Sequence, residues 1–318
     1  MSHPSETTGT LVCCGLTTLD VTQVVDRLPG PNEKLTGREL TVAFGGPAAN
    51  AAATAVALGV PTTLVTGVGS GPIGQVVRAR LAAAGVRLVD LLEGQDVDPP
   101  ISTVLVTAAT GERAVVSVND ARPRTYDAVP DDVLAGAGTL LVDGRLVEAA
   151  VPLARAARAA GLRVMIDGGS YKPGTDELLA ECDVAIVSAD FHLPGGGSPT
   201  TADPGSVADL AGIAALGPGF VARSAGAERI AVLGEGAVVG VEVPRAERVV
   251  DTLGAGDVLH GAFAAAWHAW RGEELAALRF AARVATASVE HAGARGWVDD
   301  EPVRAGFAAE IAGGPSVL

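Results

Sequence analysis

The residues best suited to chemistry lie at 251–257, which read DTLGAGD and lead directly into the apolar run 258–270. The first N–H groups of a helix lack partners within it, and the helix dipole adds positive charge there, so such a turn can hold a phosphoryl group. Gly254 and Gly256 allow close approach of the backbone. Asp257 lies in the first turn, where its carboxylate can accept a proton from a hydroxyl held beside a phosphate. This pattern favours phosphoryl transfer to an alcohol over a capped surface helix.

A second constellation, residues 45–50, reads GGPAAN. Pro47 suits the first position of a helix, and the paired glycines allow a ligand to approach. Asn50 can both donate to and accept from a sugar hydroxyl. Upstream, the apolar segment 10–14 is followed by GLTTLD at 15–20, which delivers the carboxylate of Asp20. Taken alone, paired glycines before an Ala-rich helix more often reflect plain helix packing, and Asp20 either binds a diol or caps a turn.

The elements that must position these residues have two textures. Up to about residue 119, short segments alternate polar and apolar side chains at 38–44, 102–106 and 113–118. The last two flank the turn 109–112 as a hairpin would. Half-apolar strands of this kind predict a small sheet with one face either exposed or covered by a partner.

From residue 139 the rhythm becomes strand, helix, strand. Apolar segments at 139–143, 162–167, 183–188 and 229–233 predict buried strands, and 147–160 predicts a helix that ends at Gly161. This alternation implies an α/β fold with parallel strands and right-handed crossovers. Ligands in such sheets bind beyond the carboxyl ends of the strands.

Composition excludes several classes of protein. The chain has 318 residues, 48% of them hydrophobic, which is enough for a large core, and a net charge of −14 that argues against a nucleic-acid surface. Cys13, Cys14 and Cys182 are too few for a disulfide framework or a metal cluster. Residues 1–10 lack the pattern of a signal peptide, and the Ala-rich runs are too short to span a bilayer. We expect a cytoplasmic protein with neither nucleic-acid nor membrane partners.

The sequence resembles the PfkB family of ribokinase-like carbohydrate kinases. Three features carry the resemblance by their order and spacing: the strand that leads to Asp20, the motif 45–50 and the motif 251–257. The resemblance covers roughly residues 10–299. It implies a three-layer α/β/α fold in which 10–318 form one kinase domain with a mostly parallel central sheet. It also implies a small β-sheet lid, contributed mainly from about 20–44 and 101–119, that forms a homodimer interface in many members.

The resemblance also implies roles for individual residues. Asp257 would be the catalytic base, and the anion hole would be formed by Gly254, Ala255 and Gly256. The sugar would be bound by Asp20, Gly45, Gly46 and Asn50. The nucleotide would be bound near Ser188, Thr252, Gly234 and Gly236. ATP and Mg²⁺ are the expected cofactors, and some members also use a monovalent cation held near the equivalents of Asp251 and Leu253.

One motif departs from the family pattern. The usual Asn-x-x-Glu that serves magnesium and phosphate should follow the strand at 183–187, yet residues 188–191 read SADF. We therefore expect Mg²⁺ to be held mainly by the nucleotide phosphates and water, with Asp190 as a partial substitute acting through water.

Only a comparison with sub-families of the PfkB kinases indicates which class of sugar is the substrate. Ketohexokinases and sulfofructose kinases are similar in motif style, and in the latter an anionic tail is met by a lysine, an asparagine and an arginine. Lys34, Asn119 and Arg145 stand at matching places. A solvated loop lysine and an ion-paired strand-end arginine are the ordinary alternatives. We expect a kinase that phosphorylates a primary hydroxyl of a ketose or related sugar, such as sulfofructose.

Three other hypotheses stay open. A neutral fructose- or ribose-type sugar would use the same base, and so would a nucleoside kinase, although two Tyr and six Phe offer few aromatic walls for a nucleobase. A sugar-binding sensor on a kinase scaffold is the non-enzymatic alternative, but a sensor would not need Asp257.

His260, three residues after Asp257, either touches the site or is a core histidine whose hydrogen bonds are satisfied.

Overall fold

The computed structural model describes residues 9–110, 112–118, 125–194 and 205–315. Its strands are β1 Thr10–Cys14, β2 Thr18–Val25, β3 Glu39–Gly45, β4 Thr62–Thr66, β5 Arg87–Asp90, β6 Ile101–Thr107, β7 Arg113–Ser117, β8 Ala137–Val142, β9 Arg163–Gly168, β10 Val184–Val187, β11 Phe220–Arg223, β12 Ile230–Leu233 and β13 Val238–Val241. Its helices are α1 Pro47–Ala57, α2 Pro72–Ala83, α3 Val147–Ala159, α4 Thr175–Leu179, α5 Val207–Ala214, α6 Ala255–Ala269, α7 Glu274–Ser288, α8 Gly296–Asp299 and α9 Glu301–Gly313.

The central sheet has nine strands in the order β13-β12-β11-β10-β9-β8-β1-β4-β5. From β11 to β5 every neighbouring pair is parallel, as the alternation of strands and helices predicts. The expectation is wrong for the segment 229–233, because β12 runs antiparallel to β11 and β13 runs antiparallel to β12. Only residues 224–229 connect β11 to β12, and a parallel neighbour would need a crossover of a dozen or more residues.

Two layers of helices cover the sheet, and the side chains of β1 show how its two faces are used. Leu11 and Cys13 pack into a core cluster that includes residues of α1, α6 and α7. Val12 and Cys14 belong to a second cluster with residues of α3. Because successive residues of a strand point to opposite faces, a continuous apolar strand of this kind must be buried on both sides. The predicted three-layer α/β/α arrangement is confirmed.

A separate four-stranded sheet has the order β3-β2-β6-β7. The predicted hairpin is present, since β6 pairs antiparallel with β7 and Val104 lies opposite Val115. Leu40 and Val116 expose 66% and 69% of their surface. This sheet therefore leaves apolar side chains exposed on one face. We call the four-stranded sheet the lid.

Helix α6 is the element that connects the core to the expected site. Its body is apolar on all sides, with Phe263 and Trp267 packed into the core.

Among the described residues, no helix is long and apolar enough to cross a membrane. Cys13, Cys14 and Cys182 are buried free thiols.

Candidate active site

A cavity of about 620 Å³ opens between the lid and the carboxyl ends of the parallel strands, at the N-terminus of α6. This is the edge where ligands bind in open α/β sheets. The cavity lining includes six of the residues predicted from sequence to form a sugar and phosphate site: Asp20, Gly46, Asn50, Arg145, Gly254 and Asp257. The fold thus brings together motifs that are more than two hundred residues apart in the chain.

Asp257 is the central carboxylate of this cavity. Asn50 Nδ2, on α1, donates a hydrogen bond of 2.7 Å to Asp257 Oδ2. Burial, together with the negative charge of Asp167, raises the pKa of Asp257 to about 7, while the Asn50 bond opposes the rise. A carboxylate with a pKa near neutrality is suited to accept a proton at physiological pH.

The turn that opens α6 has the geometry of an anion site. Gly254 takes a left-handed conformation with φ of 75°, and a Cβ there would lie 2.4 Å from the Cβ of Ala294. The Ala255 N–H makes only a long 3.4 Å contact to the Thr252 carbonyl. A Cβ at Gly256 would meet no atom within 4 Å, so open space faces the first turn of the helix at this position. The turn therefore offers helix N–H groups beside an accessible space.

The first residues of the same motif attach it to its surroundings. Asp251 accepts hydrogen bonds of 2.9 Å from the Leu253 N–H and from the Gly293 N–H. The Thr252 hydroxyl accepts a 2.8 Å bond from Arg113 on lid strand β7. Thr252, which the sequence assigned to the nucleotide, thus lies where the lid meets the motif.

Asp20 and the two glycines form the lid side of the cavity. The Thr18 hydroxyl donates to Asp20 Oδ1 at 2.7 Å. A Cβ on Gly45 would lie 1.9 Å from Asp20 Oδ2, so the carboxylate occupies the place of a side chain at 45. Gly46 caps the N-terminus of α1 with φ of 95°, and a Cβ there would lie 2.4 Å from the Leu16 carbonyl oxygen. A side chain at 46 would therefore clash with backbone, whereas a side chain at 45 would displace the carboxylate of Asp20.

Of the three residues expected to meet an anionic tail, the two that the structure describes, Lys34 and Arg145, do not line the same cavity. Arg145 lines the cavity. Lys34 lies in the exposed segment between β2 and β3 and does not line the cavity. Asn119 lies outside the described residues.

Asp143, which follows β8, is a buried carboxylate that the sequence analysis did not assign to the site. It accepts bonds from the N–H groups of Leu16 at 2.7 Å, Ala48 at 3.2 Å and Arg145 at 2.9 Å. Burial raises the pKa of Asp143, and these bonds oppose the rise. Asp143 joins β1, α1 and β8 behind the cavity. Its signal in the sequence was a lone acid at the end of a buried strand.

His260 is a core histidine whose contacts support the first turn of α6. Its Nδ1 lies 2.7 Å from the Gly256 carbonyl and 3.3 Å from Asp167 Oδ2, and its Nε2 lies 3.0 Å from the Ile186 carbonyl. The ring is only 3% exposed. Burial lowers the pKa of His260 and raises that of Asp167. The core alternative is therefore correct, and the ring ties α6 to β9 and β10.

Arg295 is the main site residue that sequence reasoning missed. Its guanidinium donates to Asn50 Oδ1 and, at 2.7 Å, to the Phe44 carbonyl, and its Cζ lies 3.7 Å from the centroid of the Phe44 ring. Burial lowers the pKa of Arg295 to about 10. The only signal was an arginine between small residues, because 293–296 read GARG after the last long buried helix.

On the expected nucleotide side, Ser188 and Asp190 follow β10. The Ser188 hydroxyl donates to the Gly169 carbonyl at 2.7 Å and accepts from the Asp190 N–H at 3.2 Å. Buried Arg223 donates to the carbonyl oxygens of Ser188 and Phe191 and forms an ion pair with Asp209. In place of the missing magnesium motif, the chain thus has a segment fixed by a buried arginine.

Gly234 and Gly236 lie at the opposite edge of the sheet from Ser188. Because β12 runs antiparallel to its neighbour, the turn after it lies toward the amino ends of the parallel strands. The Gly234 N–H bonds to the Ala237 carbonyl at 2.8 Å in the hairpin between β12 and β13. Their assignment to the nucleotide is corrected on this ground.

Among the residues that the structure describes, the carboxylates near the site do not form a dedicated metal cage. Within the described parts of the chain, no group of three or more His, Cys, Asp and Glu side chains could hold a metal ion. Mg²⁺ often keeps several waters and binds through one or two carboxylates and substrate phosphates. The exposed carboxylate of Asp190 fits that mode of binding, whereas the hydrogen-bonded, buried Asp143 does not.

The sequence of the chain is similar to those of known sugar and nucleoside kinases. The chain is 28% identical to a ribokinase of Arabidopsis thaliana over 294 residues, covering 89% of this chain and 77% of that protein. It is 25% identical to a nucleoside kinase of Methanothermobacter thermautotrophicus, covering 91% and 92%.

Solved structures of ribokinases are also similar to this chain. The Arabidopsis thaliana ribokinase complexed with ribose and ATP superposes with a TM-score of 0.74 at 25% identity, covering 95% of this chain and 99% of that one. The Thermotoga maritima ribokinase has a TM-score of 0.76 at 17% identity, with coverage of 95% and 100%, and shows the fold alone. Residues 8–300 match the pfkB family carbohydrate kinases. With the ribokinase-like fold and Asp257 at the cavity, this match shows that the chain belongs to the pfkB family and is a sugar kinase.

Proposed function

We propose that the protein transfers the γ-phosphoryl group of ATP to a primary hydroxyl of a sugar, with Asp257 as the base. One observation carries the proposal: Asp257, whose pKa is raised to about 7, lies in the first turn of α6 and lines the same cavity as Asp20 and Asn50. A proton acceptor, an anion site and polar groups for hydroxyls are thereby within one cavity.

In the proposed reaction, Asp20 and Asn50 hold the hydroxyls of the sugar. The oxygen of the sugar's primary hydroxyl forms a bond to the γ-phosphorus, and Asp257 takes the proton of that hydroxyl. The bond between the γ-phosphorus and the β-γ bridging oxygen breaks, which releases ADP. The N–H groups at Gly254, Ala255 and Gly256 stabilise the charge on the phosphoryl oxygens. Most of the catalysis then comes from position and fixed charge, which a helix N-terminus supplies.

ATP is supported as the phosphoryl donor by the relatives. The ribokinase of Arabidopsis thaliana was solved with ribose and ATP, and that of Cryptococcus neoformans with ADP. We propose that Ser188 and Thr252 flank the nucleotide. Asp190 would hold Mg²⁺ through water, and the ion would supply positive charge that neutralises the transferring group. A monovalent cation near Asp251 and Leu253 belongs to the same proposal.

Two classes of sugar have support. A neutral ribose-type sugar is favoured by the ribokinase relatives. An anionic ketose such as sulfofructose is favoured by one observation, that Arg145 and Arg80 both line the cavity. Guanidinium groups suit sulfonate and phosphate oxygens. Arg145→Ala should raise KM for an anionic ketose at least tenfold more than for its neutral analogue if that class is correct. Equal changes would favour the neutral sugar.

We also propose that the protein is a cytoplasmic homodimer that pairs through the lid. Exposed Leu40, Val116 and Val118 support a covered lid face. Three buried free cysteines suit a reducing compartment. Light scattering after size-exclusion chromatography of wild type and Val116→Glu tests the dimer: a shift to monomer supports the lid interface, and an unchanged mass contradicts it.

The experiment that tests the kinase proposal is ADP release from ATP and Mg²⁺ across ribose, fructose, sulfofructose and adenosine. Selective turnover of one sugar supports the proposal and names the substrate class. Turnover of adenosine alone would favour a nucleoside kinase. Absence of turnover, together with a rise in Tm when a sugar is added, would favour a sugar-binding sensor.

A further inference from the structure

Arg295 lies in the connection between α7 and α8 and contacts two other parts of the site. It reaches the lid through the carbonyl and ring of Phe44 on β3, and α1 through the side-chain oxygen of Asn50. Asn50 in turn donates to Asp257 on α6. A continuous chain of contacts therefore runs from the lid to the catalytic carboxylate.

The chemistry of this chain fixes the orientation of an amide. Arginine is only a donor, so Arg295 can face only the oxygen of the Asn50 amide, and the NH₂ end then faces the carboxylate of Asp257. The reverse orientation would set donor against donor at Arg295 and acceptor against acceptor at Asp257. Without the guanidinium, the amide would lose the partner that selects between these two states.

We propose that Arg295 is a positioning residue for phosphoryl transfer, which orients the Asn50 amide so that Asp257 Oδ2 is hydrogen-bonded and Oδ1 is left to accept the proton. The lid participates because the Phe44 carbonyl and ring hold the guanidinium in place. This inference rests on the proposed function of Asp257 as base. It adds an element outside both sequence motifs, and that element determines which carboxylate oxygen reacts.

The charge of Arg295 acts in the same direction. An opposite charge near a carboxylate favours its ionised form. The other charged or titratable groups that act on Asp257 are Asp167 on β9, Asp143 after β8 and His260 on α6, and those that act on Arg295 are Asp20 on β2 and Arg80 on α2. Loss of the guanidinium would remove a positive charge that interacts with Asp257. The negative charges of Asp167 and Asp143 would still raise the pKa of Asp257, opposed by the Asn50 bond and His260.

The test uses Arg295→Met, which removes charge and hydrogen bonds, and Arg295→Lys, which keeps charge but cannot bond Asn50 and the Phe44 carbonyl as a planar fork. Arg283→Met is the matched control, because Arg283 also lies over a phenylalanine ring and is ion-paired with Glu310, away from the cavity. The kinetic readout is the pH profile of kcat/KM for the sugar turned over by wild type.

In Arg295→Met we expect the acidic limb of the profile to move to higher pH, because the guanidinium charge and the correctly oriented Asn50 amide both favour the ionised carboxylate of Asp257. We also expect kcat at the plateau to fall about 100-fold, as misplaced catalytic groups do. Arg295→Lys should lose plateau activity with little movement of the limb, and the control should match wild type. A uniform loss at every pH in Arg295→Met, with an unmoved limb and a lowered Tm, would overturn the proposal. If Arg295→Met does not fold, an Arg295→Lys enzyme with wild-type kcat overturns it.

A second readout separates this proposal from the kinase proposal. The pH dependence of unfolding is compared between Arg295→Met and Arg295→Met/Asp257→Asn, beside the same pair in the wild-type background. Arg295→Met should move the midpoint of the Asp257-dependent change to higher pH even if the protein turns over no sugar. An unmoved midpoint would contradict the effect of Arg295 on Asp257, whatever the activity.

Discussion

Asp257 should reduce the stability of the folded protein when it ionises, because its folded pKa of about 7 lies well above the value for an unfolded chain. With about 3.9 for an unfolded aspartate, the difference is about 3 units, or about 4 kcal/mol. The folded state binds the extra proton between these two values. The free energy of unfolding therefore falls as the pH rises from about 4 to about 7, and it levels off above that.

The perturbation is Asp257→Asn, which removes the titration but keeps an oxygen to accept from Asn50. From pH 5 to pH 8, the stability of the variant relative to wild type should increase by about 2–3 kcal/mol, with most of the change below pH 7.5. Urea unfolding followed by circular dichroism at intervals of half a pH unit measures this difference. Asp131→Asn is the control, because it removes the same charge from an exposed position.

A stability difference between Asp257→Asn and wild type that stays constant from pH 5 to pH 8 would refute this reasoning. It would mean that Asp257 ionises at its ordinary pKa. A difference that changes equally for Asp131→Asn would trace the effect to net charge instead of to burial of Asp257.

Three further variants test the geometry of the cavity. Gly256→Ala meets open space and should fold at least as stably as wild type while losing turnover at least tenfold, because the methyl group enters the proposed phosphoryl site; unchanged kcat would contradict that site. Gly45→Ala places its Cβ 1.9 Å from Asp20 Oδ2, so KM for the sugar should rise at least tenfold with a small change in Tm, and an unchanged KM would remove Asp20 from sugar binding. Arg223→Met leaves Asp209 unpaired and frees backbone carbonyls, so unfolding should be easier by about 3 kcal/mol in urea titrations; a change under about 1 kcal/mol would mean that Arg223 does not fix this segment.

The large sheet was predictable from sequence because its strands are buried on both faces and read as continuous apolar runs. The direction of β12 was not predictable, because a four-residue apolar segment shows the same pattern whether the strand runs parallel or antiparallel to its neighbour. Direction depends on the length of the connection before it. The misplacement of Gly234 and Gly236 follows directly from that ambiguity.

The candidate site was predictable where function is encoded in a local motif. Gly254 and Asp257 adjoin a helix start, and Asp20 follows a buried strand, so the local sequence indicates their position, and the resemblance to the PfkB family implies their roles. Arg295 and Asp143 act through contacts with residues far away in the chain, and such contacts leave no periodicity to detect.

The central claim is that Asp257 accepts the proton of the sugar hydroxyl during phosphoryl transfer. The most direct measurement compares wild type and Asp257→Asn in two assays at pH 8, sugar-dependent ADP release and calorimetric binding of the same sugar. We predict that the variant loses turnover by a factor of at least 1,000 while its sugar Kd stays within about threefold, since a base acts in the transition state. Comparable turnover in the variant would contradict the claim.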